Sequence, residues 1–268
     1  MSGTVFRISV GFVVGVLALL ALALCLSDYY AGEQQRLLAA GDAQGAAEAS
    51  RMALRLDPFD TDALEAQALT LQQQRKYEEA AAALREAIER DPNNYFPYLL
   101  LGGVQLAMDD PDAAVESYRD VLKLNPNATS ASISMAQALL SEDKMQEAKE
   151  EYLKLEKEDR ISDQALYDLG RIEIRTGQAE EGLRDIKAAR RQTRSGLEDL
   201  EGPARKEREE VLRGMDLAVA DAMVVAGRES QAREILANSP SEQAPSLLRL
   251  LDSDPEAYRE QVVNSDIY

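Results

Sequence analysis

The sequence contains no histidine and no tryptophan, and only one of its 268 residues is a cysteine. Without histidine there is no imidazole to bind a metal, to act as an acid or base near neutral pH, or to complete a hydrolytic triad. A single cysteine excludes an intramolecular disulfide, a cysteine-built zinc site and a CxxC redox pair. The phosphate-binding motifs GxxxxGK[ST] and GxGxxG and the GxSxG elbow are also missing. We therefore predict that the protein is not an enzyme and uses no metal or cofactor.

Aromatic residues are scarce and acidic residues are in excess. Aromatic residues make up 5% of the sequence, and 48 Asp and Glu outnumber 30 Lys and Arg, which gives a net charge of −18. Nucleic acid is a disfavoured partner, because a phosphate backbone requires a basic footprint. Strand-like alternation of apolar and polar residues is absent as well. These properties favour an all-α fold.

One long uncharged segment stands near the N-terminus. It runs from Ile8 to Leu26, which is long enough for a helix to cross the apolar core of a bilayer. Arg7 precedes it and Asp28 follows it. By the positive-inside rule, the N-terminus lies in the cytoplasm and the rest of the chain lies on the outer, periplasmic or extracytoplasmic side. We predict a single-pass membrane protein with an uncleaved anchor.

Two alternatives stay open for this segment. A cleaved signal peptide is one, because Ala21-Leu22-Ala23 resembles a cleavage site, although the apolar run continues through it without a polar break. A lipid anchor on Cys25 is the other, although Leu24 is a poor residue to precede a lipidated cysteine. A small apolar residue is the simplest role for Cys25.

The junction after the apolar segment also has two interpretations. No proline lies between Leu26 and Ala39. The first helix after the span therefore either continues directly from it or begins anew at a cap formed by Ser27 or Asp28.

The rest of the chain repeats itself. Small residues recur at one constant step along the sequence, and prolines close successive units at the same step. The small residues are Ala46, Ala80, Ala114, Ala148 and Gly182, and the prolines are Pro58, Pro92 and Pro126. A fixed period of this size indicates stacked repeat units. Each unit has two apolar-periodic helices around a polar break such as "QQQRK" or "SEDK", and neither helix is stable alone, so neighbours must supply the core.

This pattern resembles the tetratricopeptide repeat family. In that family a bulky residue and Leu-Gly mark the first helix, Ala and an aromatic residue mark the second, and Pro ends the unit. The third unit matches these positions with Tyr98, Leu101, Gly102, Ala114, Tyr118 and Pro126. The resemblance implies an all-α, right-handed α-solenoid of helix-turn-helix repeats, preceded in this chain by one N-terminal transmembrane helix.

The domain organisation is predicted from the period. We predict a cytoplasmic N-terminus (1–7), a transmembrane helix (8–26), five repeats (27–60, 61–94, 95–128, 129–162 and 163–191), an irregular insertion (192–212), a degenerate sixth repeat (213–240) and C-terminal capping helices (241–268). The fourth repeat departs from the pattern, because Arg160 stands where proline would. Capping helices are expected because a solenoid must cover its open apolar end.

The resemblance also implies a binding site. In this family the first helix of each repeat lines a concave groove, and its second, fifth, ninth and twelfth residues commonly contact ligands. The matching residues here are Asp62, Glu65, Leu69 and Gln72, then Phe96, Leu99, Gly103 and Leu106, then Ser130, Ile133, Gln137 and Leu140, and finally Gln164, Tyr167, Arg171 and Ile174. The partner-binding groove predicted from them consists of Phe96, Leu99, Leu106, Ile133, Gln137, Leu140, Tyr167, Arg171 and Arg175.

The centre of this predicted groove is apolar. A contiguous exposed apolar patch on a soluble domain usually marks a binding surface. The alternative is that Leu99 and Ile133 pack between repeats. A separate basic stripe consists of Arg184, Lys187, Arg190, Arg191 and Arg194. We predict that it is a solvated convex face, or that it binds an acidic partner or the protein's own acidic flank.

The sequence thus predicts a membrane-anchored scaffold or adaptor that binds an extended or helical segment of another protein. It would serve as an assembly, translocation or biogenesis factor, without nucleic acid and without a small-molecule cofactor. The alternative is a structural spacer subunit of a membrane complex, with the groove filled by its own C-terminal tail.

Overall fold

The computed structural model describes residues 2–197 and 199–265, and it describes side chains from Phe12 onward except that of Ala43. Met1, Glu198 and residues 266–268 lie outside the described residues, and with them lie the ends of the predicted ranges 1–7 and 241–268 and one residue of 192–212. The described chain is helical and contains no strand, so the all-α prediction is confirmed for it.

Fourteen helices follow one another in this part of the chain. They are α1 (Ser2–Ala39), α2 (Ala43–Leu56), α3 (Thr61–Gln73), α4 (Tyr77–Arg90), α5 (Phe96–Ala107), α6 (Pro111–Leu124), α7 (Thr129–Ser141), α8 (Met145–Lys157), α9 (Asp163–Arg175), α10 (Ala179–Ser195), α11 (Gly202–Val225), α12 (Glu229–Asn238), α13 (Ala244–Ser253) and α14 (Pro255–Asn264). The chain divides into two compact units, Met1–Ala131 and Ser132–Tyr268, with the boundary inside α7.

The first helix joins the apolar segment to the repeats without a break. Of the two alternatives for this junction, the structure has the continuous helix, because α1 runs through both Ser27 and Asp28. Its apolar side chains are unpacked, with Phe12 73% and Leu19 68% exposed. The helix is long and apolar enough to be a membrane span or a signal sequence.

The turns inside the repeats follow the same constant step as the small residues. The second residue after the first helix of each pair has a positive φ, between 57° and 82°. These residues are at positions 41, 75, 109, 143 and 177 and, after the longer first helix of the sixth repeat, at position 227. In the second repeat the N–H of Lys76 donates to the carbonyl of Leu71 at 2.9 Å, which closes the end of α3 by a Schellman motif. The same motif ends α8, where Asp159 has a φ of 55°. The end of the fourth repeat is thus closed without the proline found in the first three repeats.

The helix starts are fixed by short polar side chains. Asp42, Asp60, Asp110, Ser162 and Asp254 each accept a hydrogen bond from the backbone N–H three residues further on. These N-caps satisfy amide groups that have no partner within the helix.

The core is a seam of small residues between paired helices. The small residues of the first four repeats are completely buried: Ala46, Ala80, Ala114 and Ala148. Ala232 in the sixth repeat is completely buried as well. In the fifth repeat a glycine replaces the alanine, and α9 and α10 lie closer together. A Cβ atom on Gly182 would lie 2.4 Å from the carbonyl oxygen of Gly170. The small residues therefore set how closely the paired helices pack.

The C-terminal part of unit 2 is helical over most of its length. Within residues 192–212, predicted as an irregular insertion, α10 extends to Ser195 and α11 begins at Gly202, followed directly by Pro203 at a favoured helix start. The last helix, α14, packs against α11, α13 and α9. It thus folds back onto the first helices of the two preceding helix pairs.

Candidate partner-binding surface

In unit 1 the helix α5 carries an apolar strip that is not fully covered. It begins after Asn94, whose side chain accepts the N–H of Phe96 at 3.0 Å. The opposite face buries Leu101 and Val104 in the core. Phe96 is 39% exposed, and Leu99 and Leu106 are half-buried. Leu99 and Leu106 share a face because they are two helical turns apart.

The neighbouring surface of α3 is acidic. Glu65 is buried, and its carboxylate accepts a hydrogen bond of 3.0 Å from the side-chain amide of Asn94. Burial, followed by the nearby charge of Asp62, raises the pKa of Glu65 to about 7. Leu69 and Gln72 on the same helix are half-buried. A basic group bound beside Glu65 would favour its ionised form and lower this pKa.

In unit 2 the predicted residues of α7 lie on a partly open face. Ile133, Gln137 and Leu140 are half-buried, whereas Ala136 and Leu139 between them are buried. This alternation is typical of an amphipathic helix with one face in the core. Ile133, Gln137 and Leu140 are spaced by four and three residues and so lie on the same side of α7.

The predicted residues of α9 already have partners within unit 2. Tyr167 packs against the apolar cluster that includes Tyr258, and the guanidinium carbon of Arg171 lies 5.7 Å from the centre of the Tyr167 ring. Arg175 donates a hydrogen bond of 2.9 Å to the hydroxyl of Ser265. A small cavity of about 40 Å³ remains between Arg171, Arg175 and the last helix. In this unit α14 therefore covers part of the surface that was predicted to face a partner.

A buried tyrosine and aspartate hold α14 in this position. Tyr258 is completely buried and donates a hydrogen bond of 2.7 Å to the carboxylate of Asp221 on α11. Burial raises the pKa of Asp221 to about 6, although the Tyr258 hydroxyl and the Arg171 charge oppose the shift. Sequence reasoning missed this pair. The available signal was Asp254-Pro255, which starts a helix that places Tyr258 one turn later.

Sequence reasoning also missed a buried ionic cluster that joins α8, α9 and α10. The ammonium group of Lys149 lies 3.3 Å from a carboxylate oxygen of Glu173, and it also donates to the side chain of Gln178. Asp185 is buried beside them and pairs with the Arg184 guanidinium at 2.8 Å. Burial, followed by the adjacent Asp185 carboxyl, raises the pKa of Glu173 to about 7.

This cluster predicts a pH dependence of stability. Because the pKa of Glu173 rises from 4.5 in the unfolded chain to about 7 in the folded chain, its stabilising contribution is complete below pH 4.5 and is lost as the pH rises through 7. Relative to Glu173→Gln, the wild-type free energy of unfolding should fall by roughly 3 kcal/mol over this range. Urea unfolding at a series of pH values measures it. Glu181→Gln, an exposed control on α10, should keep the wild-type slope, and an equal slope in Glu173→Gln would contradict the assignment.

The basic stripe pairs in part with the protein's own acidic residues. Arg190 forms an ion pair with Asp216 on α11. A cavity of about 540 Å³ lies beside it, with Lys187 and Arg191 at its edge and Val219 among its apolar residues. The stripe is thus partly used inside unit 2.

No cluster of three or more acidic or thiol side chains is placed to bind a metal ion within residues 2–197 and 199–265. Partly open surfaces lie on α3, α5, α7 and α10. Their chemistry is apolar on α5 and α7, acidic on α3 and basic along α10.

Comparisons with known proteins agree with the helical pairs. Residues 71–116 and 99–165 match two family models, each described as a tetratricopeptide repeat. No curated protein matches the sequence significantly.

Solved structures share the fold over more of the chain. The structure of the pilF protein of Pseudomonas aeruginosa is 17% identical with a TM-score of 0.62, and the match covers 88% of this chain and 96% of that one. MamA (41-end) from Desulfovibrio magneticus RS-1 is 18% identical with a TM-score of 0.57, covering 63% and 96%. YrrB, described as a TPR protein with an unusual peptide-binding site, is 21% identical with a TM-score of 0.50, covering 60% and 82%.

The family models and the shared fold point to the same architecture. They agree with the constant step, the buried small residues and the repeated turns described above. This architecture is a protein-interaction scaffold. The chain therefore contains tetratricopeptide repeats.

Proposed function

We propose that this chain is a membrane-anchored scaffold that holds a segment of another protein at the outer face of a membrane, as an assembly, translocation or biogenesis factor. The observation that carries the proposal is the continuity of α1. From Phe12 to Leu26 the helix is apolar and largely exposed, and its C-terminal part is the first helix of the first repeat. One rigid helix would thus connect the bilayer to the binding surface.

The contacts of α1 join the end of its apolar segment to the first repeats. The Ser27 hydroxyl donates to the carbonyl of Ala53 at 3.0 Å, and the Gln34 amide donates to the Thr70 hydroxyl at 2.9 Å, both in buried surroundings. The helix continues through Ala21-Leu22-Ala23 without a polar break. An exposed apolar helix of this length is stable in a bilayer and unfavourable in water.

The partner's chemistry is inferred from the surface of unit 1. The apolar strip of Phe96, Leu99 and Leu106 would receive apolar side chains, and the carboxylate of Asp62, which is exposed on α3, would receive a lysine or arginine. We propose an extended or helical segment that combines both. Peptide binding by a protein of the same fold, YrrB, supports this proposal by analogy. In unit 2 the corresponding contacts would come from Ile133, Gln137 and Leu140.

The experiment is a comparison of two apolar-to-acidic variants in the same unit. Leu99→Asp places a charge in the proposed binding strip, whereas Leu124→Asp places it on the last turn of α6, where the side chain is 39% exposed. We expect Leu99→Asp to weaken binding of the native partner about tenfold or more, because a buried unpaired charge replaces an apolar contact. Leu124→Asp should bind as wild type does.

The measurement is co-purification of the full-length protein with crosslinked partners from native membranes, with circular dichroism as the check on folding. Equal recovery of partners by both folded variants would remove the strip on α5 from the proposal.

A structural spacer is the second candidate, and one observation favours it. In unit 2 the last helix already occupies the surface of α9, through Tyr258 and the Arg175–Ser265 hydrogen bond. If α14 were permanently seated there, a photo-crosslinker at position 171 would react only within the chain. An adduct with another protein at that position would show that the tail can be displaced.

A further inference from the structure

A turn next to the apolar segment carries an aromatic side chain that is largely exposed. Phe59, between α2 and α3, is 83% exposed. The equivalent positions in the next two repeats hold Asn93 and Asn127, and that in the fourth holds Ile161, which is half-buried. What distinguishes Phe59 is its exposure, because a large apolar side chain in water is unfavourable.

The contacts of α1 fix the position of this turn along the axis of α1. α1 and α2 are antiparallel, joined by residues 40–42, and the Ser27–Ala53 hydrogen bond places Ala53 level with the end of the apolar segment. Three residues later α2 ends at Leu56, which is about 4.5 Å nearer the apolar segment at the rise of an α-helix. The turn with Phe59 therefore lies beside the last turn of the apolar run.

The turn is rigid, so Phe59 is held outward. The backbone N–H of Phe59 donates to the side chain of Asp57 at 3.0 Å. The Arg90 guanidinium donates to the carbonyl of Pro58 and lies 6.0 Å from the centre of the Phe59 ring. Tyr29, 62% exposed and three residues after the apolar run, stands at a similar height on α1. Tyrosine is enriched at the membrane interface, and phenylalanine is common on the apolar face of segments that lie in it.

We propose that the Phe59 turn inserts into the interfacial layer of the lipid bilayer, on the outer side, and so fixes the orientation of unit 1 relative to the membrane. This inference rests on the proposed function, because it needs α1 to span the bilayer. The turn suits a zwitterionic bilayer surface better than an anionic one, because the negative charges of Asp57, Asp60 and Asp62 surround it and anionic headgroups would repel them. The apolar ring enters the headgroup region, and the carboxylates remain in water.

The absence of tryptophan makes the test direct, since one introduced tryptophan is the sole indole emitter. Three single variants of the full-length protein are reconstituted into phosphatidylcholine vesicles with and without brominated acyl chains. Phe59→Trp reports the turn and Phe12→Trp reports the apolar part of α1. Gln73→Trp is the control, because Gln73 is exposed at the far end of α3, about 18 Å from Phe59 along the helix.

We expect brominated lipid to quench Phe12→Trp and Phe59→Trp at least about twofold and to leave Gln73→Trp unchanged. All three sites are exposed, so the fold should tolerate the changes. Quenching at position 12 without quenching at 59 would overturn the turn's insertion and leave the anchor standing. Equal quenching at 59 and 73 would also overturn it, because the repeats would then lie flat on the membrane. No quenching at position 12 would overturn the anchor and this inference together.

Discussion

Gly182→Ala is expected to destabilise unit 2 by about 2 to 3 kcal/mol, even though alanine is the better helix former. A Cβ atom at this position would lie 2.4 Å from the carbonyl oxygen of Gly170 and 2.8 Å from the Ile174 side chain. The nearest atom belongs to the backbone, so α9 and α10 must move apart to make room. That movement opens the core around Ile186, which is completely buried.

The control for this prediction is Gly214→Ala on α11. Gly214 is exposed and a Cβ atom there meets nothing within 4 Å. This variant should therefore gain the ordinary helix preference of alanine, about 0.5 to 1 kcal/mol. Urea unfolding of the full chain in detergent, followed by circular dichroism, measures both. If the two variants shift stability in the same direction, the close approach of α9 and α10 is not as described.

Tyr258→Ala is expected to lower stability by about 3 to 5 kcal/mol and to release α14 from the surface of α9. The side chain is completely buried, and its hydroxyl is the hydrogen-bond donor to Asp221. Its removal leaves a cavity and also leaves a buried carboxylate without that donor. Tyr258→Phe separates the two effects, because it keeps the ring and loses only the hydrogen bond, at about 1 to 3 kcal/mol.

Hydrogen exchange along α14 measures the release, and Tyr95→Ala is its control. Tyr95 is 38% exposed, so its removal should change stability by no more than about 0.5 kcal/mol. If α14 also serves to fill the binding surface, Tyr258→Ala should increase partner binding near Arg171 and Arg175. Unchanged exchange in α14 would show that Tyr258 does not hold this helix.

The repeat core was predictable because its determinants are local and periodic. A small residue and a closing proline each recur at the same constant step, and both are visible without knowing any long-range contact. The strip on α5 follows from the same period, since the register of one helix fixes which side chains share a face. Its use by a partner stays a prediction.

The less predictable features depend on contacts between distant segments. The return of α14 onto α9 brings Ser265 to Arg175, and no spacing in the sequence encodes this pairing. The ionic cluster of Lys149 and Glu173 joins two helices whose charges look like ordinary solvent-facing residues. The exposure of Phe59 was equally hidden, because an apolar residue in a turn could have packed into the core.

The most direct test of the central claim is site-specific photo-crosslinking from position 99 in intact native membranes. The account predicts an adduct with another protein from position 99 and none from position 124, formed with the full-length chain retained in the membrane fraction. It also predicts that the adduct is accessible to a protease added from the outer side. An absence of adducts at position 99, or equal adducts at both positions, would contradict a scaffold that binds its partner along α5.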